Sequence, residues 1–328
     1  MKIAVIGAGA MGCLYGGRLA EAGFDVTLVD LWREHVDAIN RSGLRLDGIG
    51  GDRTIRVRAA TAGDGDIAAA VDVAIVLVDA NATAEAARQC ARLLEPDGYA
   101  VTFQNGIGNV EALTEALGRG RVVGGSSYHS AALQGPGHAR HTHAGPTRIG
   151  ELDGARTPRL TALEDALARA GLNPAVADDI MAYIWQKFVL NCAINPVSAI
   201  TGLRLGEIAR TPAADAFQDR LLDEILAVVA AKGLRLPDPD IRGTIKKHCR
   251  MKYNKPSMLQ HVEQGKRTEI DALNGALVRE AKALGLEAPF NEALTLLIKG
   301  LERHRRQVVH EPPIDYEALE VEAATSSP

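Results

Sequence analysis

One apolar, helix-forming segment carries a cation and two amides at a regular spacing. Lys187, Asn191 and Asn195 follow one another at intervals of four residues within the run from Tyr183 to Pro196. Side chains four residues apart share one face of an α-helix. Because burying polar groups costs free energy unless they find a partner, a bound anionic substrate would explain this face. A partly exposed stripe with a solvated lysine is the competing interpretation.

The chemistry that this face would support is reduction of a carbonyl group. The Lys187 ammonium group would donate a proton or a hydrogen bond to an oxygen that gains negative charge during hydride addition. The amides of Asn191 and Asn195 would hold a carboxylate or a hydroxyl group. Pro196 has no backbone N–H, so we expect it to kink the helix and to free backbone carbonyls for a ligand.

A second polar cluster lies downstream and has two competing interpretations. Ser257 with Gln260 fits the S-x-x-Q pattern of a helix capping box, and Thr268 with Asp271 resembles another. In the first interpretation Ser257 only caps a helix, and Glu269 only favours a helix N-terminus through the helix dipole. In the second interpretation Ser257 and Glu269 contribute to a binding site.

A glycine-rich turn near the N-terminus predicts a dinucleotide site. Gly7, Gly9 and Gly12 form a G-x-G-x-x-G pattern between a β-branched run, residues 2–6, and a helix-compatible segment, residues 13–22. In this context the first glycine allows a tight turn, the second lets the backbone approach a pyrophosphate, and the third lets the helix pack on its strand. The helix N-terminus then offers N–H groups to the phosphates. A turn whose glycines serve packing alone is the competing interpretation.

Two further polar residues follow predicted strands. Asp30 ends the second strand, 18 residues after Gly12, which suits an acid that hydrogen-bonds an adenosine ribose. Asn105 follows a later strand. It is either a turn residue or a group in the crevice at the carboxyl ends of the strands, where ligands bind in open α/β sheets.

Three histidines lie close together but do not form a typical metal site. On a strand, the period of two places His141 and His143 on one face and His138 on the other. No cysteine or carboxylate lies near them in the sequence, so we expect surface histidines and predict no metal site.

Composition narrows the class of protein. The chain has 328 residues, enough for about two domains, and a net charge of −4 without a basic run, which argues against a nucleic-acid partner. We find neither a signal-peptide pattern nor an apolar run of about 18 residues, so no membrane span is expected. The four cysteines lie far apart and form no C-x-x-C, which fits a reducing cytosol, and we expect a cytoplasmic protein.

The order of the predicted elements sets the fold class. Strand and helix patterns alternate up to about residue 127, which predicts a mainly parallel, doubly wound sheet. Residues 128–152 lack a helical pattern and contain Gly-Pro turns, so we expect two or three antiparallel strands that extend the sheet. We therefore predict an α/β fold with a dinucleotide-binding domain over residues 1–178.

The second half of the chain predicts a domain of a different class. From about residue 180 onward, alanine and leucine recur at helical spacing and we find no clear strand, which indicates an all-helical domain over residues 179–309. The last residues, 310–328, are acidic and end in Ser-Ser-Pro, which predicts a flexible tail.

Four blocks of the sequence resemble the ketopantoate reductase (2-dehydropantoate 2-reductase) family, over about residues 2–300. The blocks are Gly7-x-Gly9-x-x-Gly12, Gln104-Asn105-Gly106-Ile107-Gly108, Trp185-x-Lys187-x-x-x-Asn191-x-x-x-Asn195-Pro196, and Ser257-Met258-Leu259-Gln260 through Arg267-x-Glu269-Ile270-Asp271. The resemblance implies a Rossmann domain and a helical domain with the site in the cleft between them. It also implies stereospecific reduction of 2-dehydropantoate to pantoate with a nicotinamide cofactor, a step toward pantothenate and coenzyme A.

The resemblance also implies roles for individual residues. Lys187 would be the general acid that protonates the carbonyl oxygen as hydride arrives, and Glu269 would lie near it as a polarising partner. Asn105 would contact the cofactor near its nicotinamide ribose. The substrate hydroxyl and carboxylate would be bound by Asn191, Asn195 and Ser257.

Three departures from the family pattern bear on the substrate and the cofactor. Asp79 stands where the family usually has a lysine, and an anion there would weaken binding of an anionic substrate. The family norm is NADPH, whereas Asp30 would repel a 2′-phosphate and favour NADH; Arg33 could still pair with a phosphate. Leu205 replaces a substrate-side asparagine, which suggests a less hydroxylated substrate.

These departures leave two alternatives open. One is an NADH-dependent reductase of the same family that acts on another 2-oxo acid, branched or aromatic. The other is a non-catalytic dinucleotide-binding regulator, against which the presence of both Lys187 and Glu269 argues. The cofactor is therefore NADP(H) or NAD(H). We expect a small 2-oxo acid as the partner, with neither nucleic acid nor membrane, and leave open a homodimer through the helical domain.

Overall fold

The computed structural model describes residues 1–62 and 70–325. The chain divides into two compact units: Met1–Asn191 with Gly233–Ile241, and Cys192–Lys232 with Arg242–Pro328. This division falls inside one helix, after the boundary that the sequence predicts at residue 178, and the predicted boundary stays a prediction. In the described ranges no helix is long and apolar enough to cross a membrane.

The first unit contains all the strands that the structure describes. The strands are β1 (Lys2–Ile6), β2 (Asp25–Asp30), β3 (Leu44–Gly48), β4 (Arg53–Ile55), β5 (Arg58–Thr61), β6 (Val71–Val76), β7 (Leu94–Thr102), β8 (Val122–Ser127), β9 (Ser130–Gly135), β10 (His138–His143), β11 (Thr147–Glu151) and β12 (Pro174–Val176). The main sheet has the order β12-β11-β8-β7-β6-β1-β2-β5 across the described residues. The six strands from β8 to β5 in this order are parallel, and β11 pairs antiparallel with β8. The predicted doubly wound sheet with an antiparallel extension is confirmed.

Helices cover both faces of this sheet. They are α1 (Ala10–Glu21), α2 (Arg33–Ser42), α3 (Thr83–Leu93), α4 (Asn109–Leu117), α5 (Pro158–Arg169) and the start of α6 (Ile180–Thr201). Alternate residues of β1 serve the two faces: Val5 belongs to the core cluster that contains residues of α1 and α5, and Ile6 to the cluster that contains residues of α3 and α4. A central strand that is buried on both faces explains its continuous apolar run.

A second, smaller sheet corrects one expectation from the sequence. The sequence predicts two or three strands from residues 128–152 as an extension of the main sheet, but of the strands there only β11 joins it. β9 and β10 instead join β3 and β4 in a sheet of order β4-β3-β10-β9. The reason is the packing of α1, because a Cβ on Gly17 would lie 2.8 Å from the Leu44 side chain of β3. This glycine lets the second sheet pack closely on α1, and the apolar side chains of β3 are buried there.

The second unit is all-helical over the residues that the structure describes, as predicted. After the end of α6 it contains α7 (Leu205–Ile208), α8 (Pro212–Ala231), α9 (Ile241–Met251), α10 (Ser257–Glu263), α11 (Asn274–Ala283), α12 (Pro289–His310) and α13 (Tyr316–Thr325). Its core contains Leu221, Ile225, Leu277 and Ile298, all fully buried. Within the predicted tail, α13 is helical and its described side chains are exposed, while residues 326–328 lie outside the described residues. The flexibility of the tail stays a prediction.

The sequence predicts that Pro196 kinks α6 and frees a backbone carbonyl for a ligand; the kink stays a prediction, and the structure corrects the second part. Helix α6 does not end there, since it continues to Thr201. A proline cannot donate to the carbonyl four residues earlier, which is that of Cys192. The side-chain amide of Asn274 donates to this carbonyl at 3.1 Å, and Gln218 donates to the next one, Ala193, also at 3.1 Å. The freed carbonyl is therefore satisfied by a side chain of the helical unit rather than left for a ligand.

Candidate functional site

The glycine turn has the geometry that a phosphate cradle needs. Gly7 has φ +94°, and a Cβ there would lie 2.6 Å from the backbone nitrogen of Val78. A Cβ on Gly12 would collide with the Gly7 carbonyl. A Cβ on Gly9, in contrast, would meet no described atom within 4 Å, and no side chain caps the N-terminus of α1. Gly7 and Gly12 are thus required by packing, while Gly9 leaves room for a ligand beside uncapped N–H groups.

Asp30 lies beside this turn at the end of β2. The backbone N–H groups of Gly7 and Ala8 both donate to the Val29 carbonyl, at 2.8 and 3.2 Å, so the turn begins at the end of β2. The Asp30 carboxylate accepts the backbone N–H of Trp32 at 2.9 Å. An acceptor is therefore held next to the turn, as a ribose hydroxyl would require.

The loop that carries Asn105 is held by its neighbour Gln104. The Gln104 side-chain amide donates to the Val78 carbonyl at 3.0 Å and to the Thr83 hydroxyl at 2.8 Å. The side chain of Asn109 donates to the Asn105 carbonyl at 2.9 Å. Asn105 thus lies at the carboxyl end of β7 in a loop tied to the end of β6 and the start of α3, the edge of the sheet where ligands bind.

Lys187 and Asn191 face this edge within the first unit. The Asn191 side-chain nitrogen lies 3.5 Å from the side-chain oxygen of Asn105, a long hydrogen bond. The half-buried Lys187 has its Nζ 6.0 Å from the centre of the Tyr128 ring, at the outer limit of a cation–π contact. Burial raises the pKa of the Tyr128 phenol, which keeps that ring neutral. The amides of Asn191 and Asn105 therefore meet at this loop, and Lys187 lies one helical turn before Asn191 on α6, an arrangement that can bind and protonate an anionic carbonyl compound.

The remaining predicted site residues belong to the second unit. Asn195 follows Lys187 and Asn191 along one face of the continuous helix α6 and is 7% exposed. Ser257 is exposed at the start of α10, and Glu269 is 8% exposed in the turn before α11. Their roles in a site stay predictions.

The capping interpretation of the second cluster is wrong. Ser257 is the first residue of α10, whose N-cap is Pro256, so the Ser257 hydroxyl does not cap it. Gln260 donates instead to the Lys255 carbonyl at 2.9 Å. The helix whose N-terminus Glu269 would favour begins only at Asn274, since residues 270–273 form turns. Neither residue is therefore explained by a helix terminus.

The three departures from the family pattern have distinct surroundings. The exposed Asp79 caps a short turn by accepting the backbone and side-chain N–H groups of Asn81 at 2.9 and 2.6 Å. Arg33 is the exposed first residue of α2. Leu205 is 2% exposed in the interior of the helical unit, which weakens its use as an argument about the substrate.

The histidines are not all at the surface, which corrects the expectation for His141. It is 3% exposed, and its Nε2 lies 3.1 Å from Nδ1 of the buried His129. A bulge between His141 and His143 breaks the strand alternation, so these two residues do not share a face. His138 lies beside Asp47 at 3.1 Å. Among the residues that the structure describes, no three potential metal ligands group together.

Two aromatic residues near the candidate site were missed by the sequence analysis. Tyr128 follows β8 directly, and Trp32 follows Asp30 by two residues; both positions lie just past the carboxyl end of a parallel strand. That placement was the available signal. The W-x-x-H spacing was only a weak indication that the Trp32 ring stacks on His35, with 5.1 Å between the ring centres.

Comparisons with known proteins agree over nearly the whole chain. The family model described as ketopantoate reductase PanE/ApbA matches residues 3–154, and its C-terminal model matches residues 179–302. A 2-dehydropantoate 2-reductase from Pyrococcus horikoshii is 34% identical over 92% of this chain and 98% of its own, and one from Halobacterium salinarum is 32% identical over 92% and 99%.

Two solved structures resemble the chain to a similar degree. A PanE/ApbA family ketopantoate reductase from Ralstonia eutropha has a TM-score of 0.86 at 34% identity, over 93% of this chain and all of the other. A D-mandelate dehydrogenase, solved with NADH and anilino(oxo)acetate, has a TM-score of 0.86 at 27% identity, over 93% and 99%.

Proposed function

Because the chain belongs to the ketopantoate reductase family of oxidoreductases, we propose that it reduces 2-dehydropantoate to pantoate with a nicotinamide cofactor. This step leads toward pantothenate and coenzyme A. The observation that carries the proposal is the contact of Asn191 with Asn105 at the carboxyl edge of a sheet whose glycine turn fits a dinucleotide, with Lys187 one helical turn before Asn191 and beside Tyr128 at the same edge.

The residues present fit a nicotinamide dinucleotide. Gly9 leaves space beside the uncapped N-terminus of α1 for the pyrophosphate, and Asp30 offers an acceptor for the adenosine ribose. Asn105 would hold the nicotinamide half. When bound, the cofactor supplies the hydride for carbonyl reduction. Asp30 favours NADH over NADPH, because its carboxylate would repel a 2′-phosphate.

The chain's own residues supply the proton and the orientation. Lys187 donates a proton to the substrate carbonyl oxygen, and its ammonium group also attracts the anionic substrate. Its half-buried position beside the Tyr128 ring limits solvation of the charge, which strengthens both interactions. The family resemblance further assigns Asn191, Asn195 and Ser257 to the substrate carboxylate and hydroxyl, and Glu269 to polarising the lysine.

Replacement of Lys187 tests this assignment. We expect Lys187→Ala to lower kcat by about 10²–10⁴-fold, the usual contribution of a general acid, while the Kd for NADH stays unchanged. Lys282→Ala is the matched control, since Lys282 is an exposed lysine paired with Glu292 on the surface of the helical unit. Wild-type turnover in Lys187→Ala would contradict the assignment.

A second candidate function has its own support. The family likeness extends to a D-mandelate dehydrogenase solved with NADH, and Asp79 and Asp30 place two carboxylates at the binding edge. This candidate is an NADH-dependent reductase of an aromatic or branched 2-oxo acid. Steady-state kinetics with 2-dehydropantoate, phenylglyoxylate and a branched 2-oxo acid, each with NADH and NADPH, separate the two. A higher kcat/KM for one of the simpler acids would replace 2-dehydropantoate as the substrate.

Asp79 provides a sharper test of the same question. If its carboxylate faces the substrate, Asp79→Lys should lower the KM for 2-dehydropantoate and leave kcat nearly unchanged. Asp79→Asn removes the charge but keeps an acceptor for Asn81, and so controls for the turn that Asp79 caps. An unchanged KM in both variants would show that Asp79 serves the turn alone.

A further inference from the structure

An exposed tryptophan lies next to the candidate cofactor site. Trp32 follows Asp30 by two residues, and its backbone N–H donates to the Asp30 carboxylate at 2.9 Å. Its side chain is 40% exposed. The indole stacks on the His35 imidazole with 5.1 Å between ring centres and 13° between ring planes. One face of the indole is therefore covered and its ring plane is set by a neighbour.

The ring beneath Trp32 is held on two sides. His35 is fully buried, and its Nδ1 accepts the backbone N–H of Gly137 at 3.0 Å. Its Nε2 therefore carries the proton and donates to the Cys13 sulfur at 3.3 Å. The Cys13 thiol in turn donates to the Ala8 carbonyl at 3.1 Å. Burial lowers the pKa of His35 and raises that of the Cys13 thiol, so both groups stay neutral.

These contacts link the indole to the phosphate turn. Ala8 belongs to the glycine turn and Cys13 to the first turn of α1, the two segments expected to hold the pyrophosphate. The chain from Ala8 through Cys13 and His35 to Trp32 thus fixes the indole relative to that turn. A ring that is already ordered loses little conformational entropy when a ligand stacks on it.

We propose that the exposed face of Trp32 is the surface on which the adenine ring of the dinucleotide stacks. The inference rests on the proposed function. A dinucleotide with its pyrophosphate at the turn and its ribose on Asp30 must place its adenine just beyond the end of β2, where Trp32 lies. Purines stack on aromatic side chains because both rings offer flat, polarisable faces. Trp32 is then a cofactor-binding residue that favours adenine dinucleotides whether or not they carry a 2′-phosphate.

Binding of cofactor fragments tests the proposal directly. Isothermal titration calorimetry would measure Kd for NADH, ADP-ribose and nicotinamide mononucleotide. We expect Trp32→Ala to weaken binding of NADH and ADP-ribose by about 5- to 150-fold, the range of base–aromatic stacking, and to leave binding of nicotinamide mononucleotide unchanged. Trp32→Phe should recover most of the loss. Ile49→Ala is the control, as it truncates an apolar residue of similar exposure, 43%, in the turn after β3.

The pattern across fragments separates stacking from a structural role. If Trp32 only covered His35, Trp32→Ala would weaken both halves of the cofactor equally or neither, and either result overturns the proposal. Binding of NADH by the wild type together with unchanged ADP-ribose binding by Trp32→Ala would reject the stacking surface alone. Absence of dinucleotide binding by the wild type would reject the proposed function and this inference together.

Fluorescence gives a second measurement that does not depend on removing the residue. The chain has two tryptophans, Trp32 and the buried Trp185, so Trp185→Phe leaves Trp32 as the sole indole emitter. We expect 5′-AMP to quench this emission until the signal saturates. The concentration at half-maximal quenching should equal the Kd of 5′-AMP measured by calorimetry. Calorimetric binding of 5′-AMP without quenching would place adenine elsewhere and overturn the proposal.

Discussion

Replacing Asn274 by alanine should destabilise the helical unit by about 1–3 kcal/mol. Asn274 is fully buried, and its side-chain nitrogen donates to the Cys192 carbonyl at 3.1 Å and to the Asn291 side-chain oxygen at 2.8 Å. Each buried acceptor left without a donor costs about 1–3 kcal/mol; the substitution creates two and removes one, because the Asn274 side-chain oxygen is itself buried without a hydrogen-bond partner among the described residues. The Cys192 carbonyl has no helical donor to fall back on, because residue 196 is a proline.

A second substitution isolates this carbonyl. Pro196→Ala returns a backbone N–H to the position that would bond the Cys192 carbonyl in a regular helix. Pro196→Ala should therefore stabilise the Asn274→Ala variant by about 1–2 kcal/mol more than it stabilises the wild type. Pro212→Ala is the matched control. Pro212 opens α8, where its missing N–H needs no partner, so this change should not rescue Asn274→Ala.

Urea unfolding followed by far-ultraviolet circular dichroism measures the four free energies of the cycle. The comparison is valid if the slope with denaturant is the same in all variants, since a changed slope signals a changed unfolded state. Additivity of Asn274→Ala and Pro196→Ala to within about 0.5 kcal/mol would refute the reasoning, because the two residues would then not share an acceptor.

Three further predictions address other parts of the molecule. Burial lowers the pKa of both His129 and His141 from the ordinary value of 6.5, so the unfolded chain binds more protons than the folded chain as the pH drops below 6.5. The free energy of unfolding should therefore fall as the pH drops below that value. Urea midpoints at about pH 7.5 and about pH 5 measure this, and a double His→Gln variant should flatten the dependence. Gln104→Ala removes the hydrogen bonds that hold the Asn105 loop and should lower kcat/KM for the cofactor about tenfold. Unchanged kinetics would show that the loop does not contribute to cofactor binding. If the chain forms a homodimer through its helical domain, Leu297→Glu, at a 58% exposed position of α12, should convert it to monomer in light scattering; a monomeric wild type contradicts the dimer.

Short-range patterns in the sequence determined the elements that carry the candidate site. The spacing of Gly7, Gly9 and Gly12 between a strand and a helix predicted the turn, and its packing depends on the missing Cβ atoms of Gly7 and Gly12. The intervals from Lys187 to Asn195 placed three polar side chains on one helix face. Such features are local, because the helical period and the φ requirement of a glycine are set within a few residues.

The tertiary structure decided which groups meet across the chain. β9 and β10 look like continuations of the main sheet, yet they pair with β3 and β4, because α1 offers a close-packing surface at Gly17. The Cys192 carbonyl, which Pro196 leaves without a donor, finds Asn274, 82 residues away. The contacts from Trp32 through His35 and Cys13 to Ala8, and from Asn191 to Asn105, likewise join distant segments. Local periodicity indicates that a polar or aromatic side chain faces the interior or the ligand edge. Which residue it contacts there depends on how all the elements pack together, so the partner is determined only in the folded chain.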